Sequence, residues 1–423
     1  MPNYWPLKGL LKTKVIDGKI WNTDKEKINA AKGLNQKNYK AKPLRRVFIP
    51  KKNGKSRPLG IPVMADRAQQ ALYKLVLEPI AETLADEHSY GFRPNRSCAD
   101  AIQQCFNIFK WPSSPQWILE ADIKACFDNI SHKWILQNIP LSKYMLNQWL
   151  KAGFIFKKKL FLTGSGTPQG GIISPVIANM VLDGIQNILN KEFLKKEKVK
   201  LVRYADDFII TAISKDILET KVKPLISKFL TERGVELSKE KTKITNLSDG
   251  FDFLGQNVRK YGTKLLTKPS KSSIKSVYQK IKELGKANPT TTTYNIIYKL
   301  NPIITGWANY HRHVVAKKTY FKLDNKVFRL IWNWCVRRHP NKSKQWIRKK
   351  YFKSVGKRNW VFYGKPKGNN YETHLAFFGD TKIFRHIKIK GAANPYDKQW
   401  QPYFQQRQER FIIRKGEILS LSV

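Results

Sequence analysis

The sequence predicts an α+β protein with a helical second part, and three observations lead there. Up to about Gln256, short β-forming runs alternate with stretches of helical spacing. One pair of those runs, residues 201–204 and 208–211, flanks two adjacent carboxylates, Asp206 and Asp207, and reads as a hairpin. Beyond Gln256 the chain turns helical, basic and rich in aromatics. With 423 residues, 41% of them hydrophobic, there is material for two or three domains and a sizeable core.

Charge restricts the function classes. Lys and Arg number 79 against 31 Asp and Glu, a net +48, which calls for a polyanionic partner. The basic residues spread along the whole chain among Trp, Tyr and Phe, which favours nucleic acid over a membrane surface. No apolar run approaches the roughly 20 residues that span a bilayer, and residues 1–5 do not read as a leader. The expectation is a cytoplasmic protein with no membrane partner. Cys98, Cys105, Cys126 and Cys335 form no C-x-x-C pair and read as small apolar groups in a reducing compartment.

Taken in order, residues 1–42 read as a short basic lead-in. It has a turn at Asp17-Gly18 and a short helix at 25–32 capped by Thr23 or Asp24. Residues 43–62 hold two strand-like runs around a basic turn, with prolines at both ends, as an edge hairpin would. A tip carrying Lys51, Lys52, Lys55 and Arg57 suits a triphosphate or a phosphate backbone; a solvated basic loop has the same composition. A helix is expected at 66–86 and another at 98–109. Between them, the glycine, proline and arginines of residues 89–97 suggest a loop close to a phosphate backbone.

Residues 117–122 read as a buried strand that stops at an acid, Asp122, with Phe127 five positions on, either as core or as part of a site. Glycines in the 164–175 loop allow close backbone approach to a ligand, and the Gln169 amide can reach a base edge or a sugar. This loop leads into a helix at 175–189. After the carboxylate hairpin come an amphipathic helix at 214–233, a basic strand edge at 237–244 and an apolar turn at 251–255. From about Gln256 to about Tyr351 the chain reads as basic helices with interleaved Trp and Tyr, clearest at 300–311, 328–338 and 342–350. That suits backbone contacts plus base stacking, or an ordinary bundle with a basic outside. The last stretch, to Val423, reads as irregular and basic.

These pieces converge on one chemistry. Adjacent carboxylates repel each other unless a cation neutralises them, and hard oxygens suit Mg²⁺. A basic hairpin, a strand-end acid, a Thr-Pro-Gln-Gly loop and a Tyr-Ala-Asp-Asp hairpin, in that order, form the layout of a palm-type polymerase. Its chemistry uses two metal ions about 3.5–4 Å apart. Carboxylates from two chain segments can build such a site.

The motifs also resemble those of a known family, the group II intron-encoded reverse transcriptases or maturases. The resemblance rests on Arg45-Arg46-Val47-Phe48-Ile49-Pro50-Lys51, Arg57-Pro58-Leu59-Gly60-Ile61-Pro62 and Ser89-Tyr90-Gly91-Phe92-Arg93-Pro94. It rests equally on Thr167-Pro168-Gln169-Gly170-Gly171, Tyr204-Ala205-Asp206-Asp207 and Phe253-Leu254-Gly255, with 300–311 similar to the maturase, or X, region.

The resemblance implies right-hand fingers and palm at 43–256, a helical thumb and maturase (X) domain at 257–351, and a basic DNA-binding-like region at 352–423. It implies that Asp122, Asp206 and Asp207, with the Ile123 carbonyl, hold two Mg²⁺ ions. It assigns Arg45, Lys51 and Arg57 to the triphosphate and Phe127 to a gate against the ribose 2′-hydroxyl. Gln169 falls near the nascent base pair, Lys241 serves as proton donor to pyrophosphate, and Phe253, Leu254 and Gly255 grip the primer end. The implied partners are group II intron RNA, an RNA template with a DNA primer, deoxynucleoside triphosphates and target DNA.

The chain departs from the family pattern in two places. Only a short lead-in precedes Asp17-Gly18, and no cysteine follows Cys335, so a shortened N-terminal extension and no H-N-H endonuclease are expected. The leading expectation is an RNA-directed DNA polymerase that also assists intron splicing and mobility. The alternatives are a splicing-only RNA-binding protein with a residual polymerase fold and an RNA-templated RNA polymerase, which Phe127 opposes on steric grounds.

Overall fold

The computed structural model describes residues 16–34, 37–50, 54, 56–366, 368 and 371–419, with side chains to 410. Lys51, Lys52 and Lys55 of the expected basic tip lie outside the described residues. The fold is mixed α+β, with several sheets and a large helical region toward the C-terminus. Two compact units divide it, one taking Met1–Ala101, Pro115–Ile244 and Ile389–Val423, the other Ile102–Ser114 and Thr245–Lys388.

In the first unit the helix Asp24–Lys32 starts at Thr23, whose hydroxyl and Glu26 form a capping box. Strands β1 (Leu44–Pro50) and β2 (Ser56–Ile61) form the expected hairpin, in register from Arg45 opposite Ile61 to Pro50 opposite Ser56. Pro58 is tolerated because β2 is an edge strand. Strand β3 (Trp117–Asp122) belongs to a second sheet, while β4 (Phe154–Phe156) and β5 (Lys159–Phe161) complete the first in the order β2-β1-β4-β5. Strands β6 (Lys200–Tyr204), β7 (Asp207–Ala212) and β8 (Lys243–Asn246) join β3 in the order β6-β7-β3-β8.

Residues 201–203 and 208–212 are buried on both faces of this sheet, which is why their sequence is nearly unbroken apolar. Leu119, Ala121, Phe208 and Ile210 share one core with Val176, Ile177 and Leu182 of the helix Ser174–Leu182.

Three local expectations change. The single helix expected at 175–189 is two, Ser174–Leu182 and Ile185–Glu192, broken at Asp183 and at Gly184 with its φ of +101°. The helix expected at 214–233 contains a π-helical stretch, Ile217–Val222, before Lys223–Thr231. The last stretch is not irregular: it carries the helix Gln401–Leu419. It is fastened within the first unit by Ile389 N–H donating to Asp100 Oδ1 at 2.7 Å, Arg407 on the same oxygen at 3.1 Å, and Tyr396 donating to Glu78 at 2.7 Å.

The second unit opens with the meander β9 (Phe251–Phe253), β10 (Gln256–Tyr261) and β11 (Lys264–Pro269). Helices Lys271–Ala287, Thr293–His311, Lys317–Arg338 and Lys344–Tyr351 follow, three of them started by hydroxyl caps at Ser270, Thr292 and Ser343. A small sheet, β12 (Phe352–Val355), β13 (Arg358–Gly364) and β14 (Thr373–His374), completes it. Cys105, Cys126 and Cys335 are buried, and burial pushes the Cys126 and Cys335 thiols up to about 12. Among the described residues no helix is long and apolar enough to cross a membrane.

Candidate active site

The carboxylates converge at one end of the β6-β7-β3-β8 sheet. The hairpin turn is Ala205-Asp206, with Ala205 at φ +57°, so Asp206 sits in the turn. Asp207 is the first residue of β7 rather than part of the tip, and it pairs with Asp122 at the end of β3. Antiparallel partners project from the same face, so this register brings Asp122 and Asp207 together.

Beyond β3, Ser238 N–H donates to the Asp122 carbonyl at 2.8 Å and Lys124 N–H to the Glu236 carbonyl at 2.9 Å. Alternation then turns the Ile123 carbonyl the opposite way, toward the β7 side where the carboxylates lie.

The electrostatics follow from this crowding. Protein packed around the Asp207 carboxyl removes water from it, and the Asp206 and Asp122 charges add repulsion, pushing its pKa up to about 7. Asp206 is raised for the same reasons, burial first and Asp122 next, with the Arg57 and Lys241 charges opposing. Lys241 Nζ stands 2.5 Å from Asp122 Oδ2, and this bond raises the ammonium pKa against its partial burial. Lys241 therefore joins the carboxylates. Among the described residues no group of three His, Cys, Asp or Glu side chains is preset as a metal-binding cluster.

Phe127 lies beside this end, on the short helix Cys126–Asn129 that begins at Ala125 with φ +44°. Its ring is half-buried and meets Phe92 edge-on, with centroids 6.3 Å apart. The 164–175 loop is clamped to this turn: Thr167 N–H donates to the Phe127 carbonyl at 2.7 Å and Gly166 N–H to the Ile130 carbonyl at 2.8 Å. Gly166, at φ +82°, has no room for a side chain, because a Cβ would stand 2.5 Å from the Phe127 oxygen. Gln169 is not free to sample, since its amide donates to Asp128 Oδ2 at 3.0 Å and its carbonyl accepts from Gly60 N–H of β2 at 2.7 Å. The loop thus fixes the hairpin to the Phe127 turn.

Within that hairpin, Arg45 and Arg57 fall on one face, opposite Ile61 and Ile49 respectively. Arg46 falls on the other, 3.8 Å from the centre of the Phe154 ring, where burial lowers its pKa and the Asp128 charge works against that. Phe253, Leu254 and Gly255 lie in the second unit as the β9–β10 turn. Leu254 and Gly255 have positive φ, and Tyr310 donates to the Leu254 carbonyl at 2.8 Å.

The arginines expected near a phosphate backbone are committed elsewhere. Arg93 is buried and bidentate on Glu82, at 2.9 and 2.8 Å, and also donates to the Asp86 and Ser89 carbonyls. Arg96 donates to the carbonyls of Glu87 and Gly391. Arg93 thus serves a carboxylate and backbone carbonyls inside the fold, and Arg96 backbone carbonyls.

Beneath the Tyr204–Asp207 turn, fully buried Arg203 pairs with Asp183 and reaches Asn179 at 3.3 Å. Asn179 in turn donates to the Gly91 carbonyl at 2.8 Å. Arg203, Asp183, Asp128 and Phe92 were not singled out from sequence. For Arg203 a signal exists, because an arginine inside a run of buried β-formers requires a buried partner. For the other three there is none.

Residues 49–258 match the family described as reverse transcriptase (RNA-dependent DNA polymerase), and residues 274–352 match the group II intron maturase-specific domain. The chain is 31% identical to the group II intron-encoded protein LtrA of Lactococcus lactis subsp. cremoris, covering 61% of this chain and 54% of that protein. It is 31% identical to protein YkfC of Escherichia coli K12, covering 52% and 68%. It is 28% identical to an uncharacterized 91 kDa protein in the cob intron of Schizosaccharomyces pombe, covering 70% and 47%. The chain thus spans about half the length of LtrA. With a reverse transcriptase domain followed by a maturase-specific domain, and with an intron-encoded protein and a protein in an intron among its relatives, the chain belongs to the family of group II intron-encoded reverse transcriptase–maturases.

Proposed function

We propose that the chain is an RNA-directed DNA polymerase that also binds group II intron RNA and assists its splicing and mobility. The observation that carries this reading is the meeting of Asp122, Asp206 and Asp207, from two separate chain segments, at one sheet end beside Phe127 and the Gln169 loop. Residues 43–256 then act as fingers and palm, 257–351 as thumb and maturase domain, and 352–423 as a basic region for DNA. Residues 1–42 are the lead-in.

The donor set fits Mg²⁺: the groups are hard oxygens, and burial, then mutual repulsion, already raises the Asp206 and Asp207 pKa values. Asp122, Asp206, Asp207 and the Ile123 carbonyl would hold two ions. When bound, such a pair makes a primer 3′-hydroxyl a better nucleophile and neutralises charge on the leaving pyrophosphate.

The chain's own groups do the rest. Arg45 and Arg57, on one hairpin face with Lys51 following in sequence, would draw in the triphosphate. Phe127, propped by Phe92, would crowd a 2′-hydroxyl, and Gln169, steadied by Asp128, would face the nascent pair. Lys241 holds a proton beside Asp122, where it can pass it to the departing pyrophosphate. Phe253, Leu254 and Gly255 would seat the primer end.

The test is primer extension by the purified chain on an RNA template with Mg²⁺. Complementary DNA from deoxynucleotides and little product from ribonucleotides is expected. No product, with tight binding to intron RNA, would replace this reading with a splicing-only role.

A further inference from the structure

The second unit carries a surface of aromatic rings with an unusual backbone at its centre. Phe328 and Trp332 lie one turn apart on the helix Lys317–Arg338, with stacked rings 6.5 Å apart. Trp360 of β13 meets them at 6.0 and 5.6 Å, and buried Phe352 lies under all three at 5.7 to 5.9 Å. An ordinary cluster of four rings would be core. Here Phe328 and Trp360 remain 36% and 37% exposed.

Trp360 reaches this position with a φ of +61°, where β13 faces an irregularity of β12 between Lys353 and Val355. Bulges of this kind re-aim a side chain, and a bulky residue in the left-handed region is strained. The fold therefore sustains strain to hold an indole at the surface, where it adds less to the core than a buried ring would. Strain of this sort clusters at functional sites.

The neighbours say what would cover the rings. Arg348 stands 4.8 Å over Trp360, and Lys350 of the same helix and Lys342 just before it flank half-exposed Trp346 at 4.6 and 5.6 Å. Rings edged by cations suit a polyanion that offers flat apolar faces. Unpaired RNA does so; a duplex hides its bases, and an apolar protein surface would leave the cations without counter-charge.

We propose that Trp360, with Phe328 and Trp332, forms a stacking site for an unpaired base of bound RNA, Arg348 taking the adjoining phosphate. This rests on the reading of the chain as RNA-binding. It adds a place and a preference: single-stranded or looped segments over paired ones.

The experiment measures binding of the full chain to a labelled unstructured RNA and to a fully paired hairpin with the same number of phosphates. The variants are Trp360→Gly, which accepts the left-handed backbone, and Trp360→Phe, which keeps a ring. Trp360→Gly should bind unstructured RNA about tenfold more weakly and the hairpin within about twofold of wild type. Binding is read well below the melting temperature of each variant, because the glycine variant also loses the ring's packing on Phe328, Trp332 and Phe352, and Trp360→Phe should keep most of the affinity. Equal losses on both RNAs, no loss on either, or a Trp360→Phe as weak as glycine would each overturn the site. So would a change in assembly mass without a change in RNA affinity, which would assign the rings to a protein contact. If the wild-type chain binds neither RNA, the RNA-binding reading falls as a whole. If wild type binds and the variants match it, only the stacking site falls.

Discussion

Two charged clusters in the first unit differ in one respect that separates chemistry from scaffold. Around Arg203 the charges are buried and paired, so that burial pushes the Asp183 carboxyl up to about 6 but a guanidinium stands against it: Arg203 meets Asp183, Arg93 meets Glu82, and backbone carbonyls take further donors. Around Asp207 three carboxylates crowd one sheet end with the Lys241 ammonium bonded to one of them, Asp122, and burial and like charge together push the Asp206 and Asp207 pKa values up. The balanced cluster is stable as it stands. Among the described residues the crowded one holds more carboxylates than cations, which is what a site awaiting cations and a triphosphate requires. Charge density marks neither as functional; the state of its compensation does.

Substitutions can break this contrast, and the largest effect belongs to the crowded cluster. Asp207→Asn should lower the rate of DNA synthesis by roughly a hundredfold to a thousandfold or more. It should leave the melting temperature equal to or above wild type, because a like charge is removed. A lowered melting temperature would make Asp207 part of the scaffold instead.

Arg203→Met should do the reverse. It strands Asp183 in the core, so chemical denaturation should show a loss of about 3–5 kcal/mol. A loss of synthesis without that destabilisation would move Arg203 into the active site.

A third substitution extends the contrast to the second unit. His311 is buried between Ser273 Oγ at 3.1 Å and Gln256 Oε1 at 3.0 Å, and burial, then the His313 charge, depresses its pKa to about 3. A depressed histidine stays neutral in the fold while the unfolded chain takes up a proton. Stability is therefore complete above about pH 6.5 and falls as the pH drops toward 3, by roughly 1.4 kcal/mol per unit. His311→Gln should flatten that slope, read from denaturation midpoints between pH 4 and pH 7; an unchanged slope would place the dependence elsewhere.

The smallest effects concern sugar choice. Phe127→Ala should relax discrimination against ribonucleotides by about tenfold, and Phe92→Ala, which removes only the prop, by a few-fold. Relative kcat/KM for matched nucleotides measures both. A larger effect at Phe92 than at Phe127 would exchange their roles.

The sequence made the crowded cluster legible and hid the balanced one. Asp122 ends one apolar strand run, Asp207 begins another and Asp206 sits in the turn before it, so periodicity placed them at a strand end and a hairpin. The helices at 66–86 and 98–109 were legible for the same reason, and the structure has them at Met64–Leu84 and Cys98–Phe109. Arg93 and Arg96 looked like phosphate ligands because a local composition of Gly, Pro and Arg does not reveal that acceptors wait at Glu82 and Gly391. Gly391 is distant in sequence, and no window reading could include it.

Composition was likewise ambiguous for residues 300–311. They look like a nucleic-acid-facing helix, yet His311 is fully buried and Trp307 packs on it with ring centres 4.2 Å apart. The break at Asp183-Gly184 was missed because it serves a tertiary contact. Ending the helix there turns Asp183 toward Arg203.

The most direct test of the account is the single-nucleotide incorporation rate of Asp206→Asn on an RNA template with Mg²⁺, using protein whose melting temperature matches wild type. The account predicts a folded protein that binds template and primer but adds no nucleotide at a measurable rate. Incorporation near the wild-type rate would contradict it, and would mean that the carboxylates gathered at the end of β3 and β7 are not where the chemistry happens.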